Sequence, residues 1–175
     1  MFDHDKFHVT ETLHDRTTVE IRAQRPEDRE AILEEFRHAS ADTLYHRFFA
    51  VKRSLSAQEL HFFFDIDFVN HVVLLAVTKT NGQSRIVGGV RLIIFEPGKA
   101  EVAFSVVDDF RHHGLGALLM RHIKEVGRGF GLKELVAEVL SYNAPMLAVF
   151  EHSGLITTTR REGPSVDVSM RYPEA

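Results

Sequence analysis

Residues 106–117 read VVDDFRHHGLGA, and this stretch decides how the chain is built. It joins a β-rich segment, residues 100–107, to residues 115–128, whose apolar side chains recur at helical spacing. Gly114 and Gly116 remove side chains where the helix begins, so successive backbone N–H groups can point at an anion, and the helix dipole adds favourable potential. The stretch therefore predicts a pyrophosphate-binding turn between a strand and a helix.

Charge and context bear on this interpretation of the turn. Arg111, and His112 or His113 when protonated, would add positive charge. Two glycines before a helix are, by themselves, equally typical of a merely flexible turn. The phosphate site is favoured because a strand and an amphipathic helix flank the turn, and because a second element begins downstream at Asn143. No strand–helix–strand series surrounds the turn, which disfavours a Rossmann site.

Strands are predicted on both sides of the turn. Upstream, residues 17–23, 71–78 and 85–95 alternate or are rich in Val, Ile and Leu. Asn81-Gly82 is a hairpin signal, and Gly88-Gly89 indicates a bulge or a close backbone approach. The downstream strands are residues 134–140, 154–159 and 166–171.

Helices are predicted to begin at Pro26, Asp42 and Ser56, where Ser56 and Glu59 fit a capping box. A further helix begins after Asn143. The order of elements predicts an α/β (α+β) fold in which one mixed, mostly antiparallel sheet carries helices on both faces. The segment from Ala100 to Leu140 is expected to be a right-handed parallel crossover.

Composition narrows the classes of function. The 175 residues are 44% hydrophobic and 26% charged, which is typical of a globular domain. We expect residues 17–175 to form one domain and residues 1–16 to be a polar N-terminal tail. The net charge of −4 provides no basic surface for nucleic acid. Cys is absent, which excludes disulfides and Cys-type zinc sites. The eleven His residues show no three-ligand spacing, so no metal site is expected.

The chain shows no signal for membrane insertion or export. Residues 1–16 lack the basic and apolar regions of a secretory signal. The longest apolar stretch near the middle is residues 72–77, whereas a membrane-spanning helix needs about 20 residues. The sequence therefore predicts a cytoplasmic protein with neither a membrane nor a nucleic acid as partner, and it leaves the oligomeric state open.

The motif Arg111-x-x-Gly114-x-Gly116 resembles the acetyl-CoA signature of the GNAT N-acetyltransferases. The order of strands and the helix that opens at Asn143 resemble that family as well, over residues 17–171.

A narrower resemblance involves other segments. LYHRFF at residues 44–49, SLS at residues 54–56 and AEVAF at residues 100–104 resemble the acyltransferase domain of the bacterial Pat-type protein lysine acetyltransferases.

The resemblance implies an acyl donor and a place for it. Acetyl-CoA would lie in a cleft between two parallel strands that splay apart. Phe104 to Val106 would offer their backbone to the pantetheine arm, and an N–H near Val106 would polarise the thioester carbonyl. Asn143 would contact the cofactor from the other side. The residues that would hold the pyrophosphate are Arg111, His112, His113, Gly114, Leu115, Gly116 and Ala117.

The Pat-type resemblance implies an acceptor and a general base. The acceptor would be a lysine on a protein such as an acyl-CoA synthetase, and Glu101 would be the base. Strand alternation places Glu101, Ala103 and Ser105 on one side of their strand. From the residues alone, a surface carboxylate paired with a nearby Lys or Arg is the favoured interpretation of Glu101; the resemblance favours the base.

One departure from the family and two alternatives remain. Many GNAT enzymes carry a Tyr in the helix that follows the second splayed strand, where this chain has Phe150. Phe has no proton to donate to the leaving thiolate, and Pat-type enzymes also usually lack this Tyr. An acetyltransferase acting on a small amine fits the turn equally well, because the turn contacts only CoA. A non-catalytic CoA-binding sensor is the other alternative.

Overall fold

The computed structural model describes residues 4–38 and 56–174. Eight strands and four α-helices lie within these ranges. The strands are β1 His8–Thr12, β2 Thr18–Ala23, β3 His71–Thr80, β4 Gln83–Glu96, β5 Lys99–Val106, β6 Glu134–Leu140, β7 Ile156–Glu162 and β8 Ser165–Arg171. The helices are α1 Arg29–His38, α2 Ala57–Phe64, α3 Leu115–Gly129 and α4 Ala144–Glu151. None of these helices combines the length and apolar character that crossing a bilayer requires.

The eight strands form one sheet in the order β1-β2-β3-β4-β5-β6-β8-β7. Neighbouring strands run antiparallel except β5 and β6, which are parallel and are connected through α3. A mixed, mostly antiparallel sheet with a parallel crossover between Ala100 and Leu140 is thereby confirmed. The hairpin at Asn81-Gly82 is also found, with both residues at positive φ.

Helices pack on both faces of the sheet, as predicted. On one face, Leu119, Ile123 and other buried residues of α3 pack against Val72 and Leu74 of β3. On the other face, the intervening residues of β3 form a smaller cluster with Ile32 of α1. β3 is therefore buried on both sides, which is why its sequence is a continuous apolar run rather than an alternation.

A bulge in β4 lies next to the paired glycines. Ala76 of β3 is aligned with Gly88, whereas Val77 is aligned with Ile86, so Val87 is the extra residue. A Cβ added at Gly88 would lie 2.9 Å from the backbone oxygen of Ser105. Both interpretations of Gly88-Gly89, a bulge and a close backbone approach, are therefore correct.

The expectation that residues 1–16 form a polar tail is wrong. Residues 8–12 form β1, which pairs antiparallel with β2, and Leu13 is buried in the core with 5% of its surface exposed. The strand is polar because it lies at the edge of the sheet, where its side chains alternate between exposed and half-buried positions. Glu11 pairs with Arg121 and His122 of α3. Glu11 and its partners on α3 are more than a hundred residues apart in the sequence, so local sequence patterns do not reveal these contacts.

The capping box at the start of α2 is confirmed. The Glu59 N–H donates to the Ser56 hydroxyl at 3.2 Å, and the Ser56 N–H donates to the Glu59 carboxylate at 3.1 Å. The helix predicted at Asp42 and the LYHRFF segment at residues 44–49 lie outside the described residues, as do the first two residues of SLS.

Candidate active site

A cleft opens where β5 and β6 separate. The two strands are aligned at only three positions, Lys99 with Glu134, Ala100 with Leu135 and Glu101 with Val136. Beyond the third pair, the remainder of each strand keeps its outer partner, β4 or β8, and forms no pair across the cleft. The inner edges of both strands therefore present backbone groups to whatever fills the cleft.

Hydrogen bonding on the outer side of β5 identifies which residues face the cleft. The Val107 N–H donates to the Val87 oxygen of β4 at 2.9 Å. Because backbone groups alternate in direction along a strand, Phe104 and Val106 direct their N–H and C=O groups away from β4 and toward the cleft. Both belong to the stretch Phe104 to Val106 that was predicted to offer its backbone to the pantetheine arm.

A cavity of about 290 Å³ occupies the open end of the cleft. It brings together nine of the ten residues predicted to bind the cofactor. They are Phe104, Val106, Arg111, His112, Gly114, Leu115, Gly116, Ala117 and Asn143. The tenth, His113, lies in an adjoining groove of about 560 Å³ beside Ala117 and Lys124.

The turn before α3 has an unusual backbone conformation. A short 3₁₀ turn, Asp108–Phe110, follows β5, and then His112 and Gly114 adopt φ values of 66° and 86°. Left-handed residues alternating along a turn make successive N–H groups converge into a concave anion site. Glycine adopts this conformation without strain, whereas His112 adopts it at a cost that the surrounding structure must offset.

The N-terminus of α3 supplies donors to the same site. The first bond within the helix runs from the Leu118 N–H to the Gly114 oxygen at 3.1 Å. The N–H groups of Leu115, Gly116 and Ala117 consequently have no partner within the helix, and all three residues line the cavity. A diphosphate fits such a set of donors, because the helix dipole also favours negative charge there.

A ligand explains the presence of glycine at position 116 better than packing within the fold does. Its φ is not positive, and an added Cβ would meet only Val149 Cγ2 at an ordinary 3.5 Å. Nothing in the packing thus requires glycine at this position. A bare Cα leaves room on the cavity side, which is what close approach of a phosphate needs.

The acidic residues of the turn are engaged with cations. Asp109 accepts two hydrogen bonds from Arg85, at 2.7 and 3.0 Å, and these hydrogen bonds hold the pKa of Asp109 below its usual value. Asp108 lies 3.6 Å from Arg111. Because these negative charges are compensated locally, they do not oppose an anion at the turn.

Asn143 begins the helix on the far side of the cavity. Its side-chain oxygen accepts a hydrogen bond from the Met146 N–H at 3.3 Å, so the predicted helix cap is confirmed. The residue also lines the cavity. Contact with the cofactor stays a prediction.

Glu101 lies at the closed end of the cleft and points to the opposite face of the sheet. Its neighbours Ala100 and Val102 are buried, whereas Glu101 and Ala103 are exposed. Ser105, expected on the same side as Glu101, lines the cavity. The structure therefore does not place Glu101 in the cavity with the phosphate turn. Within residues 4–38 and 56–174, no Lys or Arg forms an ion pair with Glu101, so its interpretation as a paired surface carboxylate finds no support there.

A second groove, of about 370 Å³, opens beside Glu101. Across its floor, Glu138 of β6, Asp167 of β8 and Arg160 of β7 are aligned side by side. Arg160 forms an ion pair with Glu162 at 3.0 Å. The carboxylates outnumber the cations in this groove, so it favours a positively charged ligand.

Phe150 packs beneath the cavity. Only 1% of its surface is exposed, and its ring meets Phe104 edge to face at 5.7 Å between centroids. A side chain buried in this way is part of the core.

Sequence reasoning missed several residues that line the cavity. They are Phe110, Tyr142, Pro145, Met146 and Val149. The last two lie on one face of α4, and that spacing was an available signal. Tyr142 had no signal of this kind, because only the fold shows that an exposed aromatic after β6 stands at the mouth of the cleft.

Comparison with known proteins agrees with this geometry. Residues 29–155 match the acetyltransferase (GNAT) family. An acetyltransferase of Pseudomonas aeruginosa is 32% identical over 140 residues, which are 79% of this chain and 75% of that protein. The acetyltransferase Pat of Mycolicibacterium smegmatis is 28% identical over 164 residues, which are 88% of this chain and 48% of that protein. The chain thus spans about half the length of Pat.

A solved crystal structure has the same fold as this chain. The crystal structure of the GNAT domain of PAT from S. lividans superposes with a TM-score of 0.82 and 31% identity, covering 94% of this chain and 96% of that one. The family match extends over more than half of the chain and includes the splayed strands, the phosphate turn and α4. The chain belongs to the GNAT family of acetyltransferases and is an acyl-CoA N-acyltransferase whose acyl donor is acetyl-CoA.

Proposed function

We propose that this enzyme transfers the acetyl group of acetyl-CoA to a lysine side chain of a protein, with Glu101 as the general base. The amine nitrogen attacks the thioester carbonyl, the carbon–sulfur bond breaks, and CoA leaves as the thiolate. The proton lost by the amine passes to Glu101. Similarity to two proteins called Pat, at 28% and 31% identity, supports this acceptor class.

The donor lies along β5 in this proposal. The N–H groups from Gly114 to Ala117 hold the pyrophosphate, and Arg111, whose charge offsets that of Asp108, lines the same cavity. The pantetheine arm then runs along the inner edge of β5 as an added strand, bonded to Phe104 and Val106. The thioester points toward the closed end of the cleft.

Strand geometry favours Phe104 over Val106 as the residue whose N–H polarises the thioester carbonyl. Val106 lies five residues from Glu101, about 16 Å along an extended strand, whereas Phe104 lies about 10 Å away. A glutamate side chain, one water molecule and the acceptor amine together can bridge the distance of about 10 Å between Glu101 and Phe104. We therefore assign the polarising N–H to Phe104 and expect Glu101 to accept the proton through a water.

The position of Glu101 carries the proposal. It is the last residue of β5 paired with β6, and its exposed carboxylate faces the sheet surface opposite α3 and α4. An acceptor that approaches over that surface meets the donor where the strands part. A lysine amine has a pKa of about 10.4 and is protonated at neutral pH, so a proton acceptor at this point is required.

The groove beside Glu101 supports a cationic acceptor. Glu138 and Asp167 lie on its floor and face the same side as the proposed base. They would attract the ammonium group of a lysine, and would favour basic residues near that lysine in the substrate.

Acetyl-lysine mapping tests the acceptor class. The purified enzyme is incubated with acetyl-CoA and the soluble proteins of its host, and acetylated lysines are identified by mass spectrometry. Parallel reactions use Glu101→Gln, which lacks the base, and Gly116→Glu, which blocks the donor site. Lysine acetylation that depends on both residues supports the proposal. Release of free CoA with small amines, but never with proteins, would favour the small-amine alternative.

A further inference from the structure

The turn between β1 and β2 lies directly against the phosphate turn. The His14 N–H donates to the His113 oxygen at 3.4 Å, and an Asp15 carboxylate oxygen lies 3.4 Å from His113 Nδ1. A Cβ added at Gly114 would lie 2.7 Å from the His14 ring. A segment distant in sequence thus contacts two successive residues of the anion site.

Asp15 joins the two turns through its two carboxylate oxygens. One oxygen accepts a hydrogen bond from the Thr17 N–H at 3.0 Å, and the other faces His113. Bonding to Thr17 lowers the pKa of Asp15, so the carboxylate is ionised at neutral pH. Within the same turn, the Leu13 N–H donates to the Thr17 oxygen at 2.8 Å, and the Leu13 side chain is buried.

β1 is also fastened to the helix that bears the anion site. Glu11 accepts hydrogen bonds from Arg121 and, at 2.9 Å, from His122, both on α3. The His122 ring packs edge-on against Phe7 at 5.5 Å. The strand, the turn that follows it and α3 are therefore held in one arrangement.

The phosphate turn needs support of this kind. His112 and Gly114 both have left-handed backbone conformations, and such a turn keeps its shape only where neighbouring structure holds it. His113 lies between them, and it is the residue that His14 and Asp15 contact. Fixing His113 fixes the direction of the N–H groups on either side.

We propose that His14 and Asp15 are positioning residues for acyl-CoA, which hold the phosphate turn in its binding conformation. This inference rests on the proposed role of the turn in binding the pyrophosphate. It gives the N-terminal strand a function in cofactor binding, acting through the shape of the turn. A loss of this support weakens acyl-CoA binding and leaves the chemical step unchanged.

The first test is Asp15→Asn, which removes the charge facing His113. We expect the Kd for acetyl-CoA, measured by calorimetry, to rise about threefold, as is typical of exposed pairs, with kcat at saturating acetyl-CoA unchanged. The control is Asp65→Asn, which removes an aspartate paired with His61 at the end of α2, away from the turn. Equal Kd values for wild type, variant and control would overturn the role of Asp15.

The second test is a double-mutant cycle between Gly114 and His14. Gly114→Ala places a methyl group against the His14 ring, and we expect it to weaken acetyl-CoA binding at least tenfold. Adding His14→Gly removes the obstructing ring and should recover part of that loss, whereas strain from the positive φ remains. Additive effects would overturn the proposal. If Gly114→Ala does not fold, the Kd of Asp15→Asn, compared with wild type and Asp65→Asn, decides whether the β1–β2 turn supports acetyl-CoA binding.

A further variant, Gly116→Glu, separates this inference from the proposed function. Gly116→Glu tests the phosphate site directly, without touching the β1–β2 turn. If Gly116→Glu binds acetyl-CoA as wild type does, the phosphate assignment itself is wrong. If Gly116→Glu abolishes binding while the Asp15 and Gly114 experiments show no effect of the turn, only the positioning role is wrong.

Discussion

Glu101 and Val136 are the last aligned pair between β5 and β6, so they mark the point at which the parallel strands stop sharing hydrogen bonds. Beyond this pair, the edge of β5 that faces β6 has no strand partner. The phosphate turn begins where β5 ends. In the proposed arrangement, Glu101 therefore lies where the donor cleft ends and the groove lined by Glu138 and Asp167 begins. Its carboxylate lines this groove and does not line the donor cavity.

Replacing Glu101 tests that position. We expect Glu101→Gln to lower kcat at least tenfold at neutral pH while the Kd for acetyl-CoA stays within a few-fold. Part of the rate should return at high pH, because the acceptor amine then loses its proton unaided. For comparison, Glu138→Gln neutralises a second carboxylate in the same groove and should raise KM for the acceptor without the tenfold loss of kcat. Wild-type turnover in Glu101→Gln at every pH would assign the base elsewhere.

Gly116 tests the phosphate site. We expect Gly116→Glu to abolish acetyl-CoA binding in calorimetry, because the side chain fills the space of the phosphate and adds a like charge. The unfolding temperature should change little, since an added Cβ meets only Val149 at a normal distance. Gly129→Glu, at the exposed far end of α3, is the control and should bind normally. Unchanged affinity in folded Gly116→Glu would rule out the phosphate assignment.

Much of the donor side could be predicted from the sequence because its signals are local. Residues 134–140 were predicted as a strand with the observed bounds, and Asn143 as the cap of α4, because strand periodicity and capping depend on adjacent residues. The phosphate turn is contiguous too, and it provides six of the nine candidate residues that meet in one cavity.

What the sequence could not reveal depends on distant pairs. The groove beside Glu101 exists because β8 lies between β6 and β7, which brings Glu138, Asp167 and Arg160 side by side. No local sequence pattern determines the order of the strands in a sheet. The role of β1 was missed for the same reason, since the partner of Glu11 lies on α3.

Substitutions at Phe150 test whether the reaction is limited by the lack of a general acid for the CoA thiolate. We expect Phe150→Ala to lower the free energy of unfolding by about 3–5 kcal/mol, because the side chain is fully buried against Phe104. Phe150→Tyr should not raise turnover, since the ring is a core residue with 1% of its surface exposed and packs against Phe104. Denaturant unfolding and steady-state kinetics provide the two measurements. A large gain in turnover for Phe150→Tyr would show that a missing general acid limits the reaction.

His71 should make stability depend on pH. Burial, together with the neighbouring Arg91 guanidinium, lowers the pKa of His71 to about 4. The unfolded chain, with a His pKa of about 6.5, therefore binds more protons between these two values. Stability is thus complete above about pH 6.5 and is lost as the pH falls toward 4. We expect the unfolding temperature of His71→Asn to fall less than that of wild type over this interval. Parallel slopes for the two proteins would contradict this assignment.

Asp167 tests the proposed role of the groove beside Glu101 independently of the proposed base. It lies between Glu138 and Arg160 on the groove floor and is outside the donor cavity. We expect Asp167→Asn to raise KM for a lysine peptide with basic flanking residues about threefold, because the groove loses part of its attraction for cations. The KM for a peptide with neutral flanking residues should change less, and the Kd for acetyl-CoA should not change. Glu125→Gln, an exposed carboxylate on α3, is the control for a general loss of negative charge. Raising the salt concentration should reduce the difference between the two peptides in wild type, because screening weakens exposed charge interactions. If Asp167→Asn affects both peptides equally, the groove does not select the acceptor by charge.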